Sequence, residues 1–365
     1  MNVLHLLVSG GIGGIEILMK NYAKHSQHNN IFVFLWKTGE VAEAMEKDGV
    51  RIYATDAGQE NALVTLKKLG QICRSEKINV VVSHNSAPLF KLALLYIKIT
   101  MPKVRVVAYA HANARDICDS SRKKGLMVRK MVHRLGFAVA DGIVAISQSV
   151  KRSLEDTFRV PSEKVHIIYN GTPIEPIVDE KVQNSEKTEL QLIYVGRLIP
   201  EKGVQNTLKA LAAIQKQIPF VFTVVGEGPY REDLEALVEK LQLRERVRFI
   251  GRRTDVPKLL ADADVFVHLP VWEEGFGITV IEAMAAGVMC VVNDRGAMPE
   301  IVDDGVNGFV IEAQNPFALG DALKKLGDLS AQEQGKLREN AHQKAQAFSI
   351  ETFAEKLDDA LSEIC

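Results

Sequence analysis

Short apolar, β-branched runs alternate with longer stretches of helical periodicity along the whole chain. In the first half the runs are Val3–Val8, Ile31–Leu35, Ile52–Ala54, Val80–Ser83, Val104–Ala108, Ile143–Ile146 and Val165–Ile168. In the second half they are Leu190–Val195, Phe220–Val225, Val247–Ile250, Val265–Val267, Met289–Val292 and Phe309–Ile311. Most are continuously apolar rather than alternating, the mark of parallel strands covered on both faces. Helical stretches such as Ile17–Lys24 and Leu234–Leu241 supply the crossovers between them. The series breaks at Gly171–Glu189, where Gly171, Pro173 and Pro176 lead into a polar run. The pattern predicts two doubly wound α/β domains, 1–171 and 172–345. The tail from Leu329 reads as two helices. Ser349 is positioned to cap the last one, Ile350–Ile364, and the segment 346–365 is expected to pack back on the first domain.

Composition adds little to that picture except in its charge. The 365 residues carry 47% hydrophobic and 25% charged side chains, as an ordinary globular protein does. The net charge of −1 conceals an asymmetry: residues 1–170 hold 24 Lys+Arg against 14 Asp+Glu, and residues 171–365 hold 21 against 32. A basic half and an acidic half imply different partners. Cys73, Cys118, Cys290 and Cys365 are scattered, with neither a disulfide framework nor zinc-ligand spacing. The start lacks a basic leader, and the apolar stretch Leu89–Met101 is interrupted by Lys91 and Lys98, short of the about 20 apolar residues a span needs. A cytoplasmic protein is expected.

Three glycine-rich turns carry candidate chemistry. The first strand runs into Gly10-Gly11-Ile12-Gly13-Gly14 and then a helix, whose free N–H groups could meet a phosphate. The spacing is not that of a dinucleotide site, and no acid ends the second strand. A tight turn without a ligand fits equally well. In the second half, Gly196-Arg197 ends a strand and Lys202 follows five residues later. Two cations after a parallel strand suit phosphate oxygens, or else a surface ion-pair loop. The third turn, Glu274-Gly275-Phe276-Gly277-Ile278-Thr279, opens an apolar helix that contains Glu282. Its N–H groups would face an anion, and the two flanking carboxylates suit the vicinal hydroxyls of ribose and a sugar. Both acids could equally be solvated. A retaining glycosidase pair would need carboxyls about 5–5.5 Å apart, whereas eight helical residues span about 12 Å.

Together these residues resemble the retaining glycosyltransferases of family four, which have the GT-B fold of two Rossmann-like domains facing a central cleft. The resemblance covers nearly the whole chain and is strongest from Leu190 to Ile311. It rests on the Glu274/Glu282 spacing, on GRLIPEKG at Gly196–Gly203, on Val225-Gly226-Glu227-Gly228-Pro229 and on Phe249-Ile250-Gly251. It implies that Arg197 and Lys202 neutralise the donor diphosphate, Glu282 holds the ribose, and Glu274 contacts the transferred sugar near the N–H groups of Phe276, Gly277 and Ile278. Gly196, Gly226, Glu227 and Thr279 would complete the donor site. Gly13 and Gly14 would approach the diphosphate from the other domain, and His111 would lie near the reacting face of the sugar. His84 and Asn85 form a rival polar pair on the neighbouring strand end. The implied mechanism is front-face attack with retention, without cofactor or metal, because fixed cations and helix N–H groups stabilise the leaving diphosphate. Met289 stands where the family has proline, and Gly296-Ala297-Met298-Pro299-Glu300 departs from its Gly-Gly-x-Pro-Glu.

The implied reaction moves a hexosyl or N-acetylhexosaminyl unit from a nucleotide diphosphate sugar, UDP by expectation, to a saccharide or lipid-linked saccharide in capsule, exopolysaccharide or lipopolysaccharide synthesis. Alternatives are a GT-B nucleotide-sugar 2-epimerase and a nucleotide-sugar binding protein that has lost catalysis. From Arg122 to Arg134, cations alternate with Leu126, Met127, Val128, Met131 and Val132. Such a helix could lie on an anionic membrane surface at the inner face, or present a solvated side. Few aromatics interleave with it, which argues against nucleic acid.

Overall fold

The computed structural model describes residues 1–58, 61–114, 126–174, 189–312, 315 and 317–365, with only the backbone of Leu126, Val128 and Arg129. The polar part of the predicted break, residues 175–188, and the cations Arg122, Lys123 and Lys124 lie outside the described residues. The chain forms two compact units, Met1–Pro173 with Ile350–Cys365, and Ile174–Ser349.

The first unit is a seven-stranded sheet of β1 (Asn2–Ser9), β2 (Asn29–Lys37), β3 (Arg51–Ala54), β4 (Val80–Ser83), β5 (Arg105–Ala110), β6 (Gly142–Ala145) and β7 (Val165–Ile167), in the order β3-β2-β1-β4-β5-β6-β7. Every pairing is parallel. The second unit holds β8 (Leu190–Val195), β9 (Phe220–Val225), β10 (Val247–Gly251), β11 (Val265–His268), β12 (Met289–Asn293) and β13 (Gly308–Ile311), ordered β10-β9-β8-β11-β12-β13 and again all parallel. Each apolar run read from the sequence falls on one of these strands, with Val104, Ile146 and Ile168 one residue outside. Central strands such as Val80–Val82 and Val265–Val267 are fully buried, which is why their sequences do not alternate. In both sheets the order reverses at the first strand, β1 beside β4 and β8 beside β11. Ligands of open α/β sheets bind at the carboxyl ends of strands at such a point.

The last helix, Ile350–Ile364, belongs to the first unit. Its buried Asp358 accepts hydrogen bonds from Tyr22 Oη (2.5 Å), Ser26 Oγ (2.8 Å) and the Gln27 N–H (2.7 Å) at the end of helix Gly14–His25. Charge-assisted bonds of this kind are about twice as strong as neutral ones. At the other end of the helix, Ile364 packs where a side chain at Gly142 would otherwise sit. The second unit's final helix, Ala331–Gln346, begins with a capping box between Ser330 and Glu333.

Candidate functional site

In the second unit, the loops that follow β8, β11 and β12 are bonded to one another. The N–H of Val271 donates to the Glu201 carbonyl (2.8 Å), and the N–H of Ala297 donates to that of Glu274 (2.9 Å). Asn293 Nδ2 donates to the Pro270 carbonyl (2.5 Å) and Arg295 Nη1 to that of Val271 (2.7 Å). Gly296 has φ +60°, and a Cβ there would sit 2.3 Å from the Glu274 carbonyl oxygen. The family-like turn at Gly296–Glu300 therefore keeps the glycine on which the close approach depends.

This lattice places Lys202 against Glu274. Lys202 Nζ lies 2.8 Å from both carboxylate oxygens, Trp272 Nε1 donates to Oε2 at 3.1 Å, and His268 Nε2 lies 3.6 Å from it. Burial alone would raise the Glu274 pKa; His268 and the Lys202 ammonium outweigh it and hold the carboxyl at about 2. An ammonium has three donors, so two contacts to Glu274 leave one for a ligand. Arg197, at the end of β8, is exposed, and its guanidinium has no partner among the described residues.

Gly277 precedes helix Ile278–Ala285 without a side-chain cap, so the first N–H groups, those of Ile278 and Thr279, lack intrahelical acceptors. Phe276 anchors this start, edge-on to Phe348 at 5.8 Å. Glu282, one turn in, is the mirror of Glu274. It is half-buried with no hydrogen-bond or ion-pair partner among the described residues, and burial pushes its pKa up to about 7. Gly226 (φ +139°) passes so close to Gly196 that a Cβ would lie 1.9 Å from its carbonyl oxygen. Glu227 is bound at the surface to Arg231 (2.6 Å).

In the first unit, His111 follows β5 and His84 follows β4. His84, of the rival pair His84 and Asn85, is joined to His111: His84 Nδ1 lies 3.0 Å from His111 Nε2. His84 Nε2 lies 3.0 Å from His5 Nδ1, and His5 Nε2 lies 2.9 Å from Asn30 Oδ1. Burial lowers the pKa of His5 to about 4 and of His111 to about 3, and takes that of His84 well below its ordinary value. The rings are neutral. Gly13 precedes helix Gly14–His25, and among the described residues nothing occupies the space of a side chain at Gly14. Internal packing is therefore not the reason for glycine at position 14.

Sequence reading passed over His268, Trp272, Asn293, His5 and Asn30. His268 and Asn293 end strands, as His84 and His111 follow strands, and that shared position was the available signal. The expectation of metal independence also took the sequence to lack an Asp-x-Asp, which is incorrect: Asp262-Ala263-Asp264 has that spacing. This triplet lies at the amino end of β11, where Asp264 accepts from the Gln191 N–H (2.9 Å).

Two parallel sheets with polar loops at their reversal points, one carrying a Lys–Glu pair and an open helix start, define a doubly wound α/β protein with ligand-binding geometry at the carboxyl ends of its strands. The family models agree: "Glycosyltransferase Family 4" matches residues 12–175 and "Glycosyl transferases group 1" matches residues 177–348. The chain belongs to this family of GT-B glycosyltransferases. It is 25% identical over 279 residues to N-acetyl-alpha-D-glucosaminyl L-malate synthase of Bacillus anthracis, covering 73% of this chain and 70% of the relative. It is 26% identical over 280 residues, with coverages of 73% and 70%, to UDP-Gal:alpha-D-GlcNAc-diphosphoundecaprenol alpha-1,3-galactosyltransferase of Escherichia coli. Anabaena HepE, solved in complex with UDP, has the same fold, with a TM-score of 0.84 at 22% identity over the full length of both chains. Among the described residues, no helix is long and apolar enough to cross a membrane.

Proposed function

We propose that the chain transfers a hexosyl or N-acetylhexosaminyl unit from a UDP-sugar, with retention, to a saccharide or lipid-linked saccharide in surface polysaccharide assembly. The reading is carried by Glu282, a half-buried carboxyl without a partner among the described residues, one turn into a helix whose first N–H groups lack a side-chain cap. A ribose supplies the two hydroxyl donors that Glu282 lacks, and a diphosphate supplies the anion for the helix start. As the anomeric bond breaks, negative charge grows on the diphosphate. Arg197, the remaining Lys202 donor and the N–H groups of Gly277, Ile278 and Thr279 would stabilise it. Glu274, held ionised, would accept hydrogen bonds from the sugar hydroxyls. In this allocation no metal ion is required, so transfer should persist in EDTA. The choice of UDP is supported by the UDP complex of HepE and the UDP-galactose donor named for the Escherichia coli relative.

A thermal-shift series against UDP, GDP, ADP and their sugars tests the donor. UDP at 100-fold its Kd should stabilise by about 2.7 kcal/mol; no shift with any nucleotide would remove the reading. Proton NMR of the first-formed product tests retention, since inversion would show the opposite anomer.

The lipid-linked acceptor is supported by a surface of the first unit. Helix Leu126–Val139 exposes Met127, Met131 and Leu135. With Lys130, Arg134, Arg159 and Lys164 they line a cavity of about 930 Å³, together with Phe158, Val160 and Pro161. Apolar side chains among cations suit an anionic lipid surface. The protein should float with anionic liposomes, and Met131→Asp with Leu135→Asp should abolish this; absence of flotation at both low and physiological salt would refute it.

A further inference from the structure

The buried histidine chain has a direction, and the direction can be read from its far end. Asn30 Nδ2 donates to the His28 carbonyl oxygen (3.3 Å), a group that can only accept. This contact turns Asn30 Oδ1 toward His5 Nε2. His5 Nε2 must therefore carry the proton. A neutral imidazole has one N–H and one lone pair, so His5 Nδ1 is an acceptor and His84 Nε2 carries a proton. His84 Nδ1 is then an acceptor in turn, and the proton it receives sits on His111 Nε2. Only Nδ1 of His111 is left, with a bare lone pair. That atom is buried and has no hydrogen-bond partner among the described residues. Stacking holds the ring plane: Tyr109 lies face to face with His111 at 4.2 Å and 4°.

We infer that Asn30, His5 and His84 are positioning residues that fix His111 as its Nε2–H tautomer, so that Nδ1 accepts a hydrogen bond from a sugar hydroxyl. A bare lone pair cannot bond a phosphate or ring oxygen, which are themselves acceptors; it selects a donor. Burying an unmade acceptor costs about 1–3 kcal/mol, and a substrate hydroxyl at Nδ1 relieves that cost on binding. The hydroxyl belongs either to the transferred sugar or to the acceptor. That assignment rests on the glycosyltransferase reading, whereas the tautomer does not.

Long-range proton–nitrogen correlation spectra of the full-length protein, labelled with ¹⁵N-histidine and assigned with His111→Gln, read the tautomer directly. The expected signature is a protonated Nε2 and an unprotonated Nδ1 for His111 in the free protein. Asn30→Leu removes the anchor and His84→Phe cuts the chain; each should give a mixture of tautomers. A protonated Nδ1 in the wild type, or a His111 signature unchanged in both variants, would overturn the inference. Transfer in Asn30→Leu should fall about tenfold, equivalent to about 1.4 kcal/mol, with UDP binding unchanged. If the hydroxyl is on the donor, the extra affinity of UDP-glucose, UDP-galactose or UDP-N-acetylglucosamine over UDP falls too. If it is on the acceptor, hydrolysis of the UDP-sugar without acceptor stays intact. Transfer unaltered in Asn30→Leu would overturn the hydroxyl contact while leaving the tautomer measurement to stand alone. No turnover of any UDP-sugar by the wild type would count against the glycosyltransferase reading instead.

Discussion

The two units solve opposite electrostatic problems with the same strand order. At the reversal point of the second sheet, Lys202 and Glu274 are both charged and bound to each other, and Glu282 waits without a partner. At that of the first sheet, His5, His84 and His111 are neutral and, among the described residues, their side chains bond to one another and to Asn30. A site that meets a diphosphate needs fixed charge. A site that meets hydroxyls needs a defined donor and acceptor and is better without charge. The contrast shows that a Rossmann-type sheet fixes where a site lies, while the side chains after each strand decide what it binds.

The largest effect should come from breaking the charged pair. Lys202→Ala strands a buried carboxylate, which should lower stability by about 3 kcal/mol and the transfer rate by about 100-fold or more. Chemical denaturation and a radiolabelled transfer assay would check both; wild-type stability in this variant would mean that Glu274 has found other partners.

A smaller effect, with a defined pH dependence, belongs to Glu282. Its folded pKa of about 7 lies above the unfolded value, so the folded state holds more protons between about pH 4.5 and 7. Its contribution to stability is complete below the unfolded pKa and is lost as pH rises through about 7. Glu282→Gln should flatten that loss and raise the unfolding temperature of the free protein at pH 8, while weakening UDP binding about tenfold.

The smallest effect contrasts Lys202 with a cation that has no carboxylate. Lys91 is buried between helix Pro88–Thr100 and helix Leu126–Val139, its Nζ 3.8 Å from the centre of the Phe137 ring. Burial lowers its pKa to about 7. The unfolded state therefore binds the extra proton between about pH 7 and 10, and stability should rise across that window. Lys91→Met should remove the slope and raise stability at pH 7. A slope that survives the substitution would point to another group.

Periodicity made the sheets legible because central strands are buried on both faces and so cannot alternate. The pairing of Lys202 with Glu274 was not legible. The residues are far apart in sequence, and only the bonding among the loops at Glu201–Val271 and Glu274–Ala297 brings them together. Family resemblance put Lys202 on the diphosphate; the structure adds that one carboxylate already occupies two of its donors. Nor could the sequence distinguish His84 from His111 as the functional histidine, because the two are members of one chain that begins at Asn30. Gly226 and Glu227 read as donor-site residues from the resemblance; the structure adds that Gly226 packs on Gly196 and Glu227 pairs with Arg231.

Calorimetric titration of UDP at several pH values, in wild type and Glu282→Gln, tests the central claim that the second unit holds a nucleoside diphosphate through Glu282. On the proposed reading ribose hydroxyls would bond the ionised carboxylate, so binding should release a proton near pH 7 and affinity should climb as pH rises through about 7. In Glu282→Gln the affinity should be lower and flat with pH. An affinity that is independent of pH in the wild type and unchanged by the substitution would contradict the account.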